Sequence, residues 1–175
     1  MKKVINRRQF LQTSGLIIAG ATVAGSAGTR LFDPTGAWAI ATTTVDEHTA
    51  LTLVAMCRSL YPHKTIEDAQ YSKVVEELDK KASTDPAFAQ LLRDGVAALD
   101  AGAHGQWLEV NDEEKLRVLK NMDTTPFFQT VRGAMVNGFY NQPVVWKQFG
   151  YEGSSWQLGG YLNRGFNDIS WLPKE

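Results

Sequence analysis

The side chains of this chain best suited to chemistry are three histidines, one cysteine and a run of acids, and their spacing indicates no active site. His48, His63 and His104 form no i, i+4 pair of the kind that ligates zinc. Cys57 is the only cysteine, so the chain offers neither an internal disulfide nor a Cys-x-x-Cys-His haem attachment. We expect no catalytic, cofactor-binding or metal site, and we interpret His63, beside Pro62, as an ordinary histidine at a helix end.

The remaining candidates have simpler structural explanations. Asp112, Glu113 and Glu114 follow Asn111, an order typical of a capped helix start rather than of acid–base catalysis. The serines lack a Gly-x-Ser-x-Gly nucleophile elbow, and no Gly-x-Gly-x-x-Gly loop occurs. Cys57 falls on an apolar helical face, which predicts a buried small hydrophobe; a bridge to another chain is the alternative.

The most specific motif lies near the N-terminus, where Arg7 and Arg8 precede Phe10 and Leu11. A paired arginine before Phe-Leu and a mild apolar run is typical of a twin-arginine export signal. The apolar run, residues 15–28, has 14 residues, fewer than the ~20 that a bilayer-spanning helix needs. We therefore expect export by the twin-arginine translocase and a periplasmic location.

The predicted leader covers residues 1–41 and ends in small residues. The segment Ala37-Trp38-Ala39-Ile40-Ala41 allows a signal peptidase to cut after Ala39 or after Ala41. An uncleaved membrane anchor is the alternative. Removing the leader leaves about 135 residues, the size of one ordinary domain.

The charge of the chain argues against two classes of partner. Of the 18 Lys and Arg and the 19 Asp and Glu residues, five basic and one acidic fall in the leader, so the remainder carries 13 and 18, a net charge of −5. A mildly acidic domain without a basic stripe is unsuited to nucleic acid or to an anionic membrane surface. We expect membrane contact only through the leader and through partner subunits.

Apolar residues at spacings of three and four predict an all-α fold of about five helices over residues 42–140. Helices are expected at 47–61 and 65–81, and further ones after Asp85-Pro86, Asn111 and Thr125-Pro126. Leu116 is expected to face inward. The charged residues Glu76, Glu77, Asp79, Lys80 and Lys81 are expected to face solvent.

Residues 141–175 differ from the helical part because they are irregular, aromatic and rich in glycine. Disordered tails are poor in aromatic residues, so this segment must cover its own helices or dock on a partner. Aromatic residues and arginine are enriched at interfaces. The candidate interface residues are Trp146, Phe149, Tyr151, Trp156, Tyr161, Arg164 and Trp171.

The C-terminal motifs resemble those of the gluconate 2-dehydrogenase small (gamma) subunit family. The matching residues are Gly138-Phe139-Tyr140, Pro143, Trp146, Gly150-Tyr151-Glu152-Gly153, Trp156 and Gly159-Gly160-Tyr161. The family's usual Tyr-Gly-Gly-Asn ending is altered here to Leu158-Gly159-Gly160-Tyr161, which suggests a divergent branch.

The resemblance implies a non-catalytic subunit of a periplasmic dehydrogenase complex at the inner membrane. In such complexes a flavin subunit of the glucose–methanol–choline (GMC) type, which carries FAD, oxidises a sugar, sugar acid or alcohol. A cytochrome c subunit with haem c passes the electrons on. The small subunit carries the twin-arginine signal and is thought to escort the flavin subunit out of the cytoplasm.

A protein of another class remains compatible with the sequence. A stand-alone periplasmic ligand-binding protein could use the aromatic tail as a platform for carbohydrate. A calorimetric ligand screen on the monomer distinguishes the two, and so does the presence of a GMC-type gene beside this one.

Overall fold

Two short strands followed by six α-helices make up the part of the chain that the computed structural model describes, residues 29–32, 39–162 and 165. The helices are α1 Glu47–Leu60, α2 Asp68–Thr84, α3 Pro86–Gly102, α4 Asp112–Asn121, α5 Pro126–Ala134 and α6 Pro143–Gln148. Trp107–Glu109 and Ser155–Leu158 are 3₁₀ turns, and Met135–Phe139 is a π-helical turn. The predicted all-α domain is confirmed.

The helices begin where the sequence places capping residues. Asp46 accepts the amide of Thr49 at 2.9 Å and so caps α1. Asp85 and Thr125 cap α3 and α5 in the same way, each followed by a proline in the first helical turn. Asn111 caps α4 by accepting the amide three residues on. These four starts follow the predicted positions because capping is a local property.

The hydrophobic core lies between α1, α2, α3 and α5. Its largest fully buried side chains include Trp107, Tyr71 and Phe139. Gly95 on α3 allows the close approach of α5, because the ring of Phe127 lies only 2.0 Å from where a Cβ at that glycine would stand. None of the helices in the described part combines the length and apolarity needed to cross a bilayer.

Helix α2 starts three residues later than predicted, at Asp68 rather than at residue 65. The guanidinium of Arg58 donates to the carbonyls of His63 and Ile66 at 3.2 and 2.7 Å, and it pairs with Asp68 at 3.0 Å. This arginine therefore holds residues 63–66 in a turn, and the helix can begin only after it.

Asp79 was expected to face solvent, and this prediction is wrong. The side chain is buried, and its two oxygens receive four hydrogen bonds from the segment that precedes α1. The amides of Thr43, Thr44 and Val45 lie 2.7, 2.9 and 2.8 Å away, and the hydroxyl of Thr43 lies 3.0 Å away. We call this arrangement the Asp79 clamp. A periodic charge pattern cannot reveal it, because its partners lie 34 to 36 residues away.

Two further features depart from the sequence interpretation. Leu116, expected inside, is 45% exposed on α4 because Val118 and Leu119 take the inward positions of that short helix. The strands, Thr29–Phe32 and Ala39–Thr42, pair antiparallel with Thr29 opposite Thr42 and Phe32 opposite Ala39. Apart from Thr42 they lie within the predicted leader, and at four residues each they are too short to show an alternating pattern.

Candidate functional site

The C-terminal segment is attached to the helical domain through His63 and Tyr140. The imidazole Nε2 of His63 lies 2.7 Å from the phenol oxygen of Tyr140. The imidazole also stacks on Phe139, with centroids 5.7 Å apart and planes 8° from parallel. We call these three residues the His63 socket. His63, interpreted from the sequence as an ordinary helix-end histidine, is therefore a central packing residue.

The π-helical turn sets the directions of the Phe139 and Tyr140 rings, which it supplies to the His63 socket. Phe139 is fully buried and packs against Tyr71 at a centroid distance of 4.5 Å, whereas Tyr140 is half-buried. A π turn inserts one extra residue into the helical spiral and re-aims the side chains that follow it, and such turns are frequent at functional sites. The Gly138-Phe139-Tyr140 motif ends this turn.

Tyr71 packs against Phe139 of the socket and hydrogen-bonds to the backbone of the turn that carries His63. Its hydroxyl donates to the carbonyl of Tyr61 at 2.7 Å and accepts the amide of His63 at 3.3 Å. The guanidinium of Arg58 lies 4.8 Å from the centre of the Tyr71 ring, a cation–π contact. Both sides of the turn between α1 and α2 are therefore held by contacts that do not involve the C-terminal segment.

Helix α6 also attaches the C-terminal segment to the helical domain. The indole of Trp146 donates to the carbonyl of Tyr140 at 2.6 Å, and Gln142 donates to the carbonyl of Gln70 on α2 at 2.9 Å. Val145 on the same short helix is fully buried. Gly153, at φ +99°, passes so close to the Trp146 indole that a Cβ there would lie 3.3 Å from it. The chain after α6 thus turns back over Trp146.

Beyond this base the segment presents aromatic rings to solvent. Phe149, Tyr151, Trp156 and Tyr161 are 56%, 50%, 87% and 57% exposed. Phe149 meets the imidazole of His63 edge-on at 5.3 Å, and Tyr151 meets the Trp146 ring at 5.4 Å. We call these four residues the aromatic surface. Exposed aromatic residues that lie together mark interaction sites, whereas isolated ones are common on protein surfaces.

The predicted interface residues therefore separate into three groups. Trp146 is half-buried and serves as support, while the four residues of the aromatic surface are exposed. Arg164 and Trp171 lie outside the described residues, and so do the export-signal residues Arg7, Arg8, Phe10 and Leu11. Participation in an interface stays a prediction for all of them. The socket residue Tyr140 could have been found from the Gly-Phe-Tyr motif, whereas no local signal marks His63.

The hollows on the described surface are shallow and open. One of about 430 Å³ lies between α1 and α5, and a neighbouring one of about 220 Å³ shares Leu60, Asp123 and Phe128 with it. Asp123 and Arg132 are the charged residues of the larger hollow. Neither hollow encloses a ligand in the way that catalytic pockets do, which are mostly deep and apolar with a few convergent polar groups.

Several ionisable side chains take part in the packing and hydrogen bonding of the fold. Complete burial raises the pKa of the Cys57 thiol to about 12, which makes it unreactive at neutral pH. His48 pairs with Asp100 at 2.7 Å, and Asp100 also accepts the amide of Trp107 at 2.8 Å, so that α1, α3 and the first 3₁₀ turn are joined. Among the described residues no three His, Cys, Asp or Glu side chains lie close enough to hold a metal ion.

Partial burial, with smaller contributions from Tyr61 and Tyr71, raises the pKa of Tyr140 above its ordinary value of 10.0. Its phenol therefore remains protonated at neutral pH and shares its hydrogen bond with His63. Neither of the two hollows described above is lined by His63 or Tyr140.

Comparison with known proteins gives one match. The family model described as gluconate 2-dehydrogenase subunit 3 matches residues 47–160. The matched range begins at the first residue of α1 and ends after Trp156, so that it includes the His63 socket and most of the aromatic surface. No curated protein and no solved structure matches the chain.

Proposed function

The chain belongs to the gluconate 2-dehydrogenase subunit 3 family, and from this premise we propose that it is the non-catalytic small subunit of a periplasmic, membrane-associated dehydrogenase. The catalytic partner is a flavin subunit of the GMC type that oxidises a sugar, sugar acid or alcohol. A cytochrome c subunit receives the electrons. The small subunit assists the export and assembly of the flavin subunit.

The observation that carries this proposal is the aromatic surface held on a rigid base. Trp156 is 87% exposed, while ten residues earlier Trp146 donates to the carbonyl of Tyr140 and the neighbouring Val145 is fully buried. Removing one large apolar side chain from water is favourable by about 1.5–3 kcal/mol, from which the entropic costs of association are subtracted. Anchored aromatic residues of this kind dominate the energetics of protein interfaces, since little conformational entropy is lost on binding.

The chemistry of the complex resides in the partner chains under this proposal. Covalent attachment of haem c uses the two cysteines of a Cys-x-x-Cys-His motif, and this chain has only the buried Cys57. The two hollows are too open to enclose an isoalloxazine ring. In line with the family, FAD and haem c are proposed to lie in the flavin and cytochrome subunits.

The export role rests on Arg7-Arg8 and the Phe10-Leu11 that follows. The twin-arginine route carries proteins that have already folded, so a partner bound to this chain can travel with it. A flavin subunit must acquire its cofactor before it leaves the cytoplasm. An escort that binds the folded, loaded subunit satisfies both conditions.

Co-expression of the tagged full chain with a GMC-type flavin subunit encoded beside it tests the proposal. We expect the two to co-purify from the periplasm with flavin absorbance and dye-reducing activity, and the chain alone to show neither. Phe149→Ser combined with Trp156→Ser should abolish co-purification without changing the helical circular dichroism. Leu116→Ser, which alters an exposed apolar residue outside the aromatic surface, is the matched control and should leave co-purification intact.

Export is tested separately with Arg7→Lys combined with Arg8→Lys. This change should leave both chains in the cytoplasm, still bound to each other. A flavin subunit that reaches the periplasm without the small subunit would contradict the escort role but not the subunit role. Binding of a carbohydrate by the isolated chain in calorimetry would instead favour the stand-alone ligand-binding protein.

A further inference from the structure

The larger of the two hollows combines an apolar part with a charged part. Its apolar part consists of Leu60 at the end of α1, the adjoining Tyr61, and Phe128 on α5, and the hollow measures about 430 Å³. Leu60 and Tyr61 are half-buried, so some of each side chain remains open to solvent. An open apolar hollow suits a side chain presented by another protein, because the backbone that carries this side chain stays outside.

This hollow adjoins the base of the aromatic surface. The ring of Tyr61 meets that of Tyr140 edge-on, with centroids 5.5 Å apart. Tyr140 in turn packs against Phe149 of the aromatic surface at a centroid distance of 6.2 Å. Helix α5, which carries Arg132 of the hollow, also runs directly into the π-helical turn that precedes Tyr140. One partner can therefore cover the hollow and the aromatic surface together.

Arg132 gives the hollow a cation that has no carboxylate partner within the described part of the chain. Its guanidinium donates to the side-chain oxygen of the neutral Gln129 at 3.4 Å and forms no ion pair there. Arginine is enriched among the residues that dominate binding at interfaces, and its planar guanidinium binds a carboxylate through two parallel hydrogen bonds. A partner that brings a carboxylate to the hollow therefore complements its charge.

Asp123 adds a second requirement for the occupant. Its backbone carbonyl accepts the side-chain amide of Gln129 at 2.6 Å, whereas its exposed carboxylate forms no ion pair with any described residue. A covered carboxylate needs a hydrogen-bond donor, because the burial of an unpaired charge is costly. A polypeptide supplies such donors from its backbone amides and can supply a carboxylate for Arg132 as well. A simple anion satisfies Arg132 alone.

We propose that the larger hollow is a second docking site for the flavin subunit, occupied by a surface segment with a large apolar side chain beside an Asp or Glu. The apolar side chain packs on Leu60 and Phe128, and the carboxylate pairs with Arg132. The inference rests on the proposed function, since the aromatic surface must bind the same subunit.

Photo-crosslinking identifies the segment that occupies the hollow. p-Benzoylphenylalanine is placed at Thr124, an exposed residue of the hollow, in the tagged full chain co-expressed with the flavin subunit. After irradiation of the periplasmic complex, mass spectrometry should find a flavin-subunit peptide in which Asp or Glu adjoins a large apolar residue. The same label at Glu77, exposed on α2, is the control and should give no such crosslink.

Three crosslinking results at Thr124 would overturn the inference. These are a crosslink confined to the cytochrome subunit, one confined to a second copy of this chain, and the absence of any crosslink to the flavin subunit. A flavin-subunit peptide without an acidic residue would overturn the pairing with Arg132.

A matched pair of arginine variants tests the charge. Arg132→Gln removes the guanidinium of the hollow, and Arg93→Gln removes one on α3 that also donates to a glutamine three residues earlier. The complex is held through the tag on this chain, and flavin absorbance is followed during washing at constant ionic strength. Arg132→Gln should release the flavin subunit about tenfold faster than the unaltered chain does, whereas Arg93→Gln should leave the rate unchanged. Equal rates for the two variants, with unchanged helical circular dichroism, would contradict the role of Arg132.

The unaltered complex separates this inference from the proposed function. If the unaltered chain co-purifies with the flavin subunit but shows neither the Thr124 crosslink nor the Arg132 effect, only the second docking site is refuted. If it does not co-purify at all, both proposals are contradicted. Calorimetric binding of gluconate to the isolated chain, lost in Arg132→Gln, would show that the hollow holds a small anion and would overturn the docking of a segment.

Discussion

The imidazole of His63 and the phenol of Tyr140 share a 2.7 Å hydrogen bond across 77 residues of sequence. One residue follows the first helix and the other ends the π-helical turn, so this bond joins the two ends of the helical domain. The aromatic surface is built on the same contact, because Phe149 packs edge-on against the imidazole. The socket therefore positions Phe149, one of the four residues of the aromatic surface.

Removing the phenol oxygen should weaken the domain measurably. Tyr140→Phe keeps the ring packing but leaves His63 without its partner, so we expect a loss of about 1 kcal/mol in the free energy of unfolding. Urea titration followed by circular dichroism measures it. Tyr151→Phe is the matched control, since Tyr151 contributes only a ring contact, and it should change stability by less than about 0.5 kcal/mol. Equal effects of the two changes would contradict the socket.

The Asp79 clamp predicts a specific dependence of stability on pH. Burial alone would raise the pKa of Asp79, but the hydrogen bonds from residues 43–45 outweigh it and lower the pKa below the ordinary value of 3.8. A lowered folded-state pKa means that this contribution is complete above pH 3.8 and is lost as the pH falls through the folded-state value.

Asp79→Asn should therefore lower the free energy of unfolding by about 2 kcal/mol at neutral pH and flatten its decline in acid. Urea titrations at neutral pH and at successively lower pH values measure both effects. Glu77→Gln, an exposed carboxylate on the same helix, is the matched control and should leave the acid decline unchanged. An unchanged acid decline in Asp79→Asn would show that the clamp does not couple folding to protons.

Two glycines in helices should respond to alanine in opposite ways. A Cβ at Gly95 would lie 2.0 Å from the ring of Phe127, so Gly95→Ala should destabilise the domain by about 1–3 kcal/mol. Gly133 has no atom within 4 Å of its Cβ position, so Gly133→Ala should stabilise α5 by up to about 1 kcal/mol. Thermal unfolding of both variants compares them directly, and a common sign would contradict the packing of α3 on α5.

The thiol of Cys57 should be unreactive in the folded protein. It is fully buried, and burial raises its pKa to about 12. Iodoacetamide at mildly alkaline pH should modify it only after denaturation, as judged by intact mass. Rapid modification of the native chain, or an interchain disulfide in a non-reducing gel, would contradict the buried position.

The sequence predicts the parts of this fold that depend on neighbouring residues. Asp85-Pro86 and Thr125-Pro126 mark helix starts because a cap and a first-turn proline act within one turn. The inward face of α1 follows from its spacing for the same reason. These signals are sufficient for an all-α domain and for most helix bounds.

The remaining features depend on partners far away in the sequence. Asp79 lies in a charged run that a periodic pattern assigns to solvent, and only its contact with residues 43–45 shows otherwise. The role of His63 could not be predicted for the same reason, because its partner Tyr140 lies 77 residues later in the sequence. Leu116 has the apolar character of a core residue, but Val118 and Leu119 take the inward positions of α4 and leave it 45% exposed.

The His63 socket also has a consequence for biosynthesis. His63 is synthesised early in translation, whereas Phe139 and Tyr140 can join it only after they have left the ribosome. Closing so long a loop costs chain entropy before the stabilising interactions of the socket can form. The aromatic surface therefore cannot be presented by a nascent or truncated chain. A partner that binds the aromatic surface would therefore bind only chains whose synthesis is complete.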